Sequence, residues 1–460
     1  MLKYSALFIC LLIILWLFAR DRKSLPMTSG GLWIVLLWIT IIGSRFVSAW
    51  FASGVEIDSS DVLIDGSPLD RNIFLTLIVT GAVVLIRRKP AWRIIFASNC
   101  WFFAFFFYCG MSILWSDFPF VSFKRWIKEL GNIIMVMIIL TERSPINAII
   151  AVFARYTYVV IPLSVILIYF FPEIGTSIDA DSMDIACTGV TINKNSLGVV
   201  TFICCLFTVW DLVYIRTQKE KTTDKVDLIR QVILLCVMSW LMYLANSMTA
   251  LLCLVLGIGM LLIMKIPVFK SQSRFIGTYS LLLGLLIVYI SSIPAIREAF
   301  LNTVGRDITL TGRTDLWADL WREPINPLVG TGYQSFWLGS RADFLWEKYL
   351  YHPIQAHNGY LETYLNGGMI GMFMLTAMIV KTGSNLNKYL LQDSNFTVLM
   401  QAIFVIAVLY NLTEAMFGRL TLFWVVLSVA ALYHPPLHDS MSRHTFSRTS
   451  VGNTTNKELT

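Results

Sequence analysis

Charge is scarce in this sequence. Only 14% of its 460 residues are Asp, Glu, Lys or Arg, while 56% are hydrophobic. A soluble domain carries about 25% charged residues. With so little polar surface to face water, the bulk of the chain must lie in lipid, which excludes a soluble enzyme, a disordered chain and a coiled coil. Short segments of alternating polarity are also missing, so an outer-membrane barrel is excluded. Seven of the eight cysteines fall inside apolar runs, and only Cys187 falls in a long polar loop. There is therefore no loop-to-loop disulfide pair and no CxxC metal spacing. The chain has no GxxxxGK[ST] loop for ATP and no HExxH metal site. His352 and His357 stand five apart across Pro353, a poor metal pair. Neither a metal nor a cofactor is expected, and no internal repeat is evident.

Long solid apolar runs are abundant. Runs of spanning length occur near 4–19, 31–51, 72–86, 94–115, 128–140, 147–171, 197–215, 228–245, 248–264, 276–293, 359–380, 396–411 and 419–433. They predict an all-α polytopic membrane protein with about 13 (12–14) transmembrane helices. The first run ends in Arg20-Asp21-Arg22-Lys23 with no small-residue cleavage site, so it reads as a span and not a signal peptide. The net charge of +7 reflects topology, not a nucleic-acid partner. With the N-terminus outside, the inner segments hold 21 basic and 9 acidic residues, and the rest of the chain 15 and 20. That asymmetry predicts N-out, C-in. Residues 1–433 then form one membrane domain. A large loop, 294–358, is expected to contain short interfacial helices and to face outward, which in a bacterial inner membrane is the periplasm. Residues 434–460, rich in Ser, Thr and Asn, read as a disordered cytoplasmic tail.

The polar groups gather on the outer side. Thr311-Gly312-Arg313-Thr314-Asp315-Leu316-Trp317 opens a short helix with Thr314 as its cap. Its apolar stripe of Leu316, Trp317, Leu320 and Trp321 suits an interface. Arg313 there is either a guanidinium that grips a lipid-linked phosphate or an interfacial arginine among headgroups. Tyr333, Phe336, Trp337, Trp346, Tyr349 and Tyr351 read as a sugar-stacking set or as a belt at the lipid surface. The loop ends in His357-Asn358-Gly359-Tyr360-Leu361-Glu362-Thr363-Tyr364. His357, Tyr360 and Tyr364 take helical spacing on one face of the next span, and Asn358, Glu362 and Asn366 on another. His357 suits a general base or a backbone cap. Lys124, Arg125, Lys128 and Lys194 are outer basic residues in need of an anion, a neighbouring acid or lipid phosphates. Arg45 and Arg155 are weaker candidates of that kind. Asp179-Ala180-Asp181 matches the DxD pattern of nucleotide-sugar enzymes, but on the outer side such donors are absent, so the match is set aside.

Three segments together resemble the O-antigen ligase / O-antigen and exopolysaccharide polymerase superfamily of bacterial inner membranes. They are Gly312-Arg313 to Trp317 with His357-Asn358 to Glu362 and Gly367-Gly368; Trp115-Ser116 to Pro119 with Ser122 and Arg125; and Gly189 to Lys194-Asn195 with Gly198. The resemblance runs over about 94–433. It implies a metal-independent, inverting glycosyltransferase. The donor is a glycan on undecaprenyl pyrophosphate. The acceptor is a hydroxyl of the lipid A–core or of a lipid-linked repeat unit. His357 and Arg313 would be catalytic, and Arg125, Lys194, Asn358 and Glu362 would bind substrate or its pyrophosphate. Membrane lipid and components of polysaccharide assembly or chain-length control would be partners. Asn246-Ser247-Met248-Thr249 departs from the family's Ser-Arg pair. The competing readings are a polysaccharide or lipid-linked-sugar transporter or flippase, and a structural partner with a degenerate site. The nearly charge-free middles of the spans argue against transport.

Overall fold

A computed structural model describes residues 2–24, 29–51, 66–178, 184–215, 225–266, 311–349, 351–390 and 394–434. The apolar run 276–293, the start of the large loop (294–310), the DxD residues and the tail from 435 lie outside the described residues.

Every other predicted run holds a helix. These are α1 (Leu2–Ser24), α2 (Gly31–Ile42) with α3 (Val47–Phe51), α4 (Pro68–Arg88), α5 (Trp92–Ser98) with α6 (Cys100–Met111), α7 (Pro119–Leu140) and α8 (Pro145–Phe170). After the turn α9 (Pro172–Gly175) come α10 (Lys194–Trp210), α11 (Lys225–Ala245) and α12 (Met248–Ile263). The large loop contributes α13 (Thr311–Leu320) and α14 (Ser340–Lys348), and α15 (Gly359–Leu390), α16 (Ser394–Tyr410) and α17 (Leu422–Leu432) close the chain. Prolines open α4, α7 and α8 at positions that need no backbone N–H. The molecule is a mainly helical, multi-pass membrane protein. Among the described residues six helices are long and apolar enough to cross a membrane alone. The count is seven if α5 and α6, bent by 90°, make one crossing. Among the described residues the exception to an all-α chain is a small antiparallel hairpin, β1 (Thr176–Ile178) with β2 (Ile185–Cys187), in the loop after α9.

Alternate connections meet at opposite ends of the bundle. At one end Arg45 donates to the carbonyls of Ile174 (2.5 Å) and Thr191 (3.0 Å), and the Ser122 hydroxyl donates to the Tyr333 carbonyl (2.7 Å). At the other, Arg88 donates to the Ile138 carbonyl (2.7 Å) and the Trp210 indole to the Asn395 carbonyl (2.8 Å). Between them runs one continuous apolar core, built by α2, α4, α6 to α8, α10 to α12 and α15 to α17.

The described part of the large loop is a lobe with its own core. Leu316, Leu320, Phe336, Trp337, Leu345 and Ala356 pack there against Leu361 and Leu365 of α15. This corrects the interfacial reading of α13: its apolar stripe faces protein, and only Trp321 stays well exposed, beside Tyr364. Tyr333, Phe336, Trp337 and Trp346 are buried, so they form neither a lipid belt nor a sugar platform. The helix also starts at Thr311, so Thr314 lies within it and does not cap it.

Gly368, at φ +60°, breaks α15. The turn 327–332 repairs the break. The N–H groups of Met369 and Ile370 donate to the Pro327 and Leu328 carbonyls. The carbonyls of Leu365, Asn366 and Gly367 accept from Thr331, Gly332 and the Tyr108 hydroxyl. A Cβ on Gly368 would stand 2.3 Å from the Leu328 carbonyl carbon. Glycine is thus required both for the backbone angle and for the close approach, and the lobe is stitched into the bundle through the broken helix.

Candidate active site

The lobe, α10 and the turn between α16 and α17 converge on one carboxylate, that of Glu414. Arg313, in the first turn of α13, donates from Nη1 to the Thr413 carbonyl (2.6 Å) and from Nη2 to Glu414 Oε1 (3.3 Å). The same oxygen accepts from Asn195 of α10 (3.4 Å). The other oxygen meets His357 Nδ1 at 3.2 Å and the Gln355 amide at 3.3 Å. Glu414 is buried, yet its carboxyl lies below the ordinary carboxylate range. Burial pushes it up, but the His357 hydrogen bond and charge, together with Arg313, outweigh that push. An ionised carboxylate only accepts, so Nδ1 of His357 donates to it, and in a neutral ring Nε2 would be the acceptor. The Arg313 and His357 side chains retain 24% and 23% exposure, enough for a substrate to reach them.

His357 does not lie on the helix, contrary to the spacing argument. α15 begins at Gly359, and His357 takes a left-handed backbone conformation, φ +48°. That conformation is strained for a non-glycine residue and must be held by its neighbours. Two of the predicted site residues hold it. Asn358 Oδ1 caps the helix, accepting from the N–H groups of Tyr360 (3.0 Å) and Leu361 (3.1 Å). Glu362 accepts from the Ala356 N–H (2.9 Å), the Trp337 indole (3.0 Å), Asn366 (3.2 Å) and Arg419 (3.4 Å). These bonds tie the segment before His357 to α15.

The outer basic residues divide. Arg125 turns inward, donating to the Gln334 carbonyl with Arg419 and Glu362 in electrostatic reach. Lys124 lies over the Phe120 ring and Lys128 over Phe46 and Phe74. Lys194 is half-buried at the start of α10, next to Asn195, whose amide reaches Glu414. Arg45 is spent on loop carbonyls, and Arg155 pairs with Asp21 toward the opposite end. A cavity with about 440 Å³ of empty space opens between α6, α15 and the 333–334 and 417–419 turns. Tyr108, Tyr333, Gln334, Glu362 and Arg419 line it. Among the described residues no cluster of His, Cys, Asp or Glu could hold a metal ion.

Sequence reasoning missed Glu414, Arg419 and Gln355. The available signal was the stretch from Asn411 to Arg419, two charges of opposite sign in a short outer turn between apolar runs.

A helical membrane protein with a His, an Arg and a buried carboxylate gathered at one end is the class this geometry defines. Comparison with known proteins narrows it. The family model described as O-antigen ligase matches residues 233–376, which include Arg313, His357 and Glu362. The exopolysaccharide production protein ExoQ of Rhizobium meliloti is 26% identical over 299 residues, 62% of this chain and 64% of that protein. The chain thus spans slightly less than two thirds of that relative. Both matches bear out the resemblance to the O-antigen ligase and polymerase superfamily.

Proposed function

We propose that this protein is a glycosyltransferase of the O-antigen ligase and polymerase type, working on the periplasmic face of a bacterial inner membrane with its N-terminus outside. The observation that carries the reading is the joining of Arg313 and His357, 44 positions apart in the chain, through the one carboxylate of Glu414. In this reading Nε2 of His357 takes the proton of an acceptor sugar hydroxyl, and Glu414 stabilises the imidazolium that results. The freed oxygen attacks the anomeric carbon of a glycan carried on undecaprenyl pyrophosphate. The bond from that carbon to the pyrophosphate breaks on the opposite face, inverting the centre. Arg313 meets the departing negative charge, and Lys194 stands as a further phosphate contact, whereas Arg125 is engaged by the Gln334 carbonyl. The residues need no metal for this chemistry. The likeness to an exopolysaccharide production protein supports a lipid-linked repeat unit over the lipid A–core as acceptor, hence polymerisation.

The test is complementation of a deletion strain by wild type, His357→Ala and Arg313→Ala at matched membrane levels, with polysaccharide and lipopolysaccharide resolved on gels. Loss of long chains with single repeat units remaining is the expected result. Loss of ladder-bearing lipopolysaccharide with long lipid-linked chains accumulating makes the enzyme a ligase. Wild-type product from both variants removes the catalytic assignment. A transporter or flippase is the second reading, and the broken helix α15 favours it, since discontinuous helices line many transport sites. Accumulation of repeat units on the inner leaflet in the deletion strain would support it.

A further inference from the structure

The chain bends by 90° between α5 and α6. α6 runs alongside the spanning helix α15, with the Tyr108 hydroxyl on the Gly367 carbonyl and the Trp101 ring 5.7 Å from that of Phe373. A short helix at right angles to α6 therefore lies along the membrane surface. The bend is held by two amides. Asn99 donates back to the Ile95 carbonyl, and Asn385, near the end of α15, donates to the Ser98 carbonyl, both at 3.2 Å. Those bonds place α5 at the end of the bundle opposite Glu414, where α4 also ends. Of the α5 side chains only Ile95 is buried, and it anchors the helix in the core.

The cations of this elbow divide into two kinds. Arg88 turns inward. It donates to the Ile138 carbonyl (2.7 Å) and the Thr141 hydroxyl (2.9 Å) and pairs with Glu142. Arg87, Lys89 and Arg93 are exposed, and none of them meets a carboxylate among the described residues. Between these cations stand apolar side chains that are just as open. Ile86 is 73% exposed, Trp92 41%, Ile94 44% and Phe96 40%. Trp92 and Phe96 lie one turn apart, with ring centroids at 6.1 Å. A basic bias on one side of a membrane accounts for the cations, but it does not call for the bend or for the exposed rings.

We propose that this elbow binds the headgroup of an anionic phospholipid, of the phosphatidylglycerol type. The phosphodiester accepts charge-assisted hydrogen bonds from Arg87, Lys89 and Arg93. Trp92 sits at the level of the headgroups, where an amphipathic ring is at home. The acyl chains cover Ile86 and Phe96 and continue along Val83 and Val79 of α4, which are 42% and 53% exposed. Two features together choose this occupant. Open apolar side chains on a helix lying in the membrane surface need hydrocarbon, which a free phosphate or an acidic peptide lacks. Three cations without carboxylates need net negative charge, which phosphatidylcholine and phosphatidylethanolamine lack.

The experiment uses the purified full chain, offered equimolar phosphatidylglycerol, phosphatidylethanolamine and phosphatidylcholine in detergent, with retained lipid counted by native mass spectrometry. Wild type should retain phosphatidylglycerol several-fold over the other two. One cation beside an anionic surface strengthens attachment about fivefold, so Arg93→Gln should lower phosphatidylglycerol retention by about that factor. The combined variant Arg87→Gln, Lys89→Gln, Arg93→Gln should bring it down to the level of phosphatidylcholine. Lys225→Gln removes an exposed cation from the start of α11, which packs on α10 and α8, and should change nothing. Equal retention of the three lipids by wild type, or unchanged phosphatidylglycerol retention in the combined variant, overturns the proposal. An equal fall in Lys225→Gln also overturns it, by assigning the binding to overall charge. The replaced side chains are exposed, so the variants should melt with wild type in lipid-free detergent, and Arg93→Gln alone decides the matter if the combined variant fails to fold.

Discussion

Arg313 and Arg155 each pair with a carboxylate, but in opposite circumstances. Arg155 and Asp21 are 7% and 2% exposed, and the pair joins α8 to α1 well away from Glu414. Arg313 keeps 24% exposure, and its partner Glu414 is shared with His357, Gln355 and Asn195 from two other places in the chain. The first arrangement uses charge to fix one helix against another. The second holds an arginine and a histidine at a common distance from a point that a substrate can reach. The difference lies in whether the cation retains an open side.

Substitutions separate the two regions most sharply. His357→Ala and Arg313→Ala are each expected to lower product roughly 10²-fold or more, the scale of a lost general base or charge stabiliser, with normal protein in the membrane. Arg155→Ala should remove the guanidinium that meets buried Asp21 and cost about 3–5 kcal/mol, seen as lost protein and a lower melting temperature. A stable Arg155→Ala protein, or a His357→Ala protein absent from the membrane, would reverse the comparison.

The support beneath His357 comes next. Glu362→Gln retains the shape but not the charge, so Trp337, the Ala356 N–H and Arg419 lose their ionised acceptor. The expected cost is about 1–3 kcal/mol in thermal denaturation, with activity falling at the same time. An unchanged melting temperature with lost activity would move Glu362 from support to substrate contact. Acidity gives a graded test of the same cluster. The carboxyl of Glu414 is lowered in the folded protein, so its contribution to stability is complete above the ordinary carboxylate range. It is lost as pH falls through the lowered value. The melting temperature of wild type should therefore drop on that acid limb more steeply than that of Glu414→Gln; parallel curves would refute the linkage. The smallest effect belongs to Lys124→Ala. Lys124 lies over the Phe120 ring and is half-exposed, so stability should change by less than about 0.5 kcal/mol, with product unchanged. Loss of product would bring Lys124 into the site.

Much of this was legible in the chain itself. Helices occupy every described apolar run because lipid offers the backbone no hydrogen-bond partners and periodicity cannot be hidden. His357 and Arg313 stood out as ionisable groups beside spans. The aromatic residues of the large loop misled, because burial in a lobe core and exposure at an interface select the same residue types. The spacing of His357 with Tyr360 and Tyr364 misled as well, since a helix start at Gly359 depends on a cap and a left-handed residue that periodicity does not register.

The sequence alone determined that the chain lives in a membrane as helices and that its reactive groups gather between particular runs. Hydrophobic length and local spacing carry that information directly. Only the tertiary structure decided that Glu414 joins Arg313 to His357, that Glu362 and Asn358 brace the histidine, and that Arg125 turns onto the Gln334 carbonyl. Apart from the local bracing of His357, those relations lie between residues tens to hundreds of positions apart. They come into being only when the broken helix α15, the lobe and the turn after α16 pack against one another.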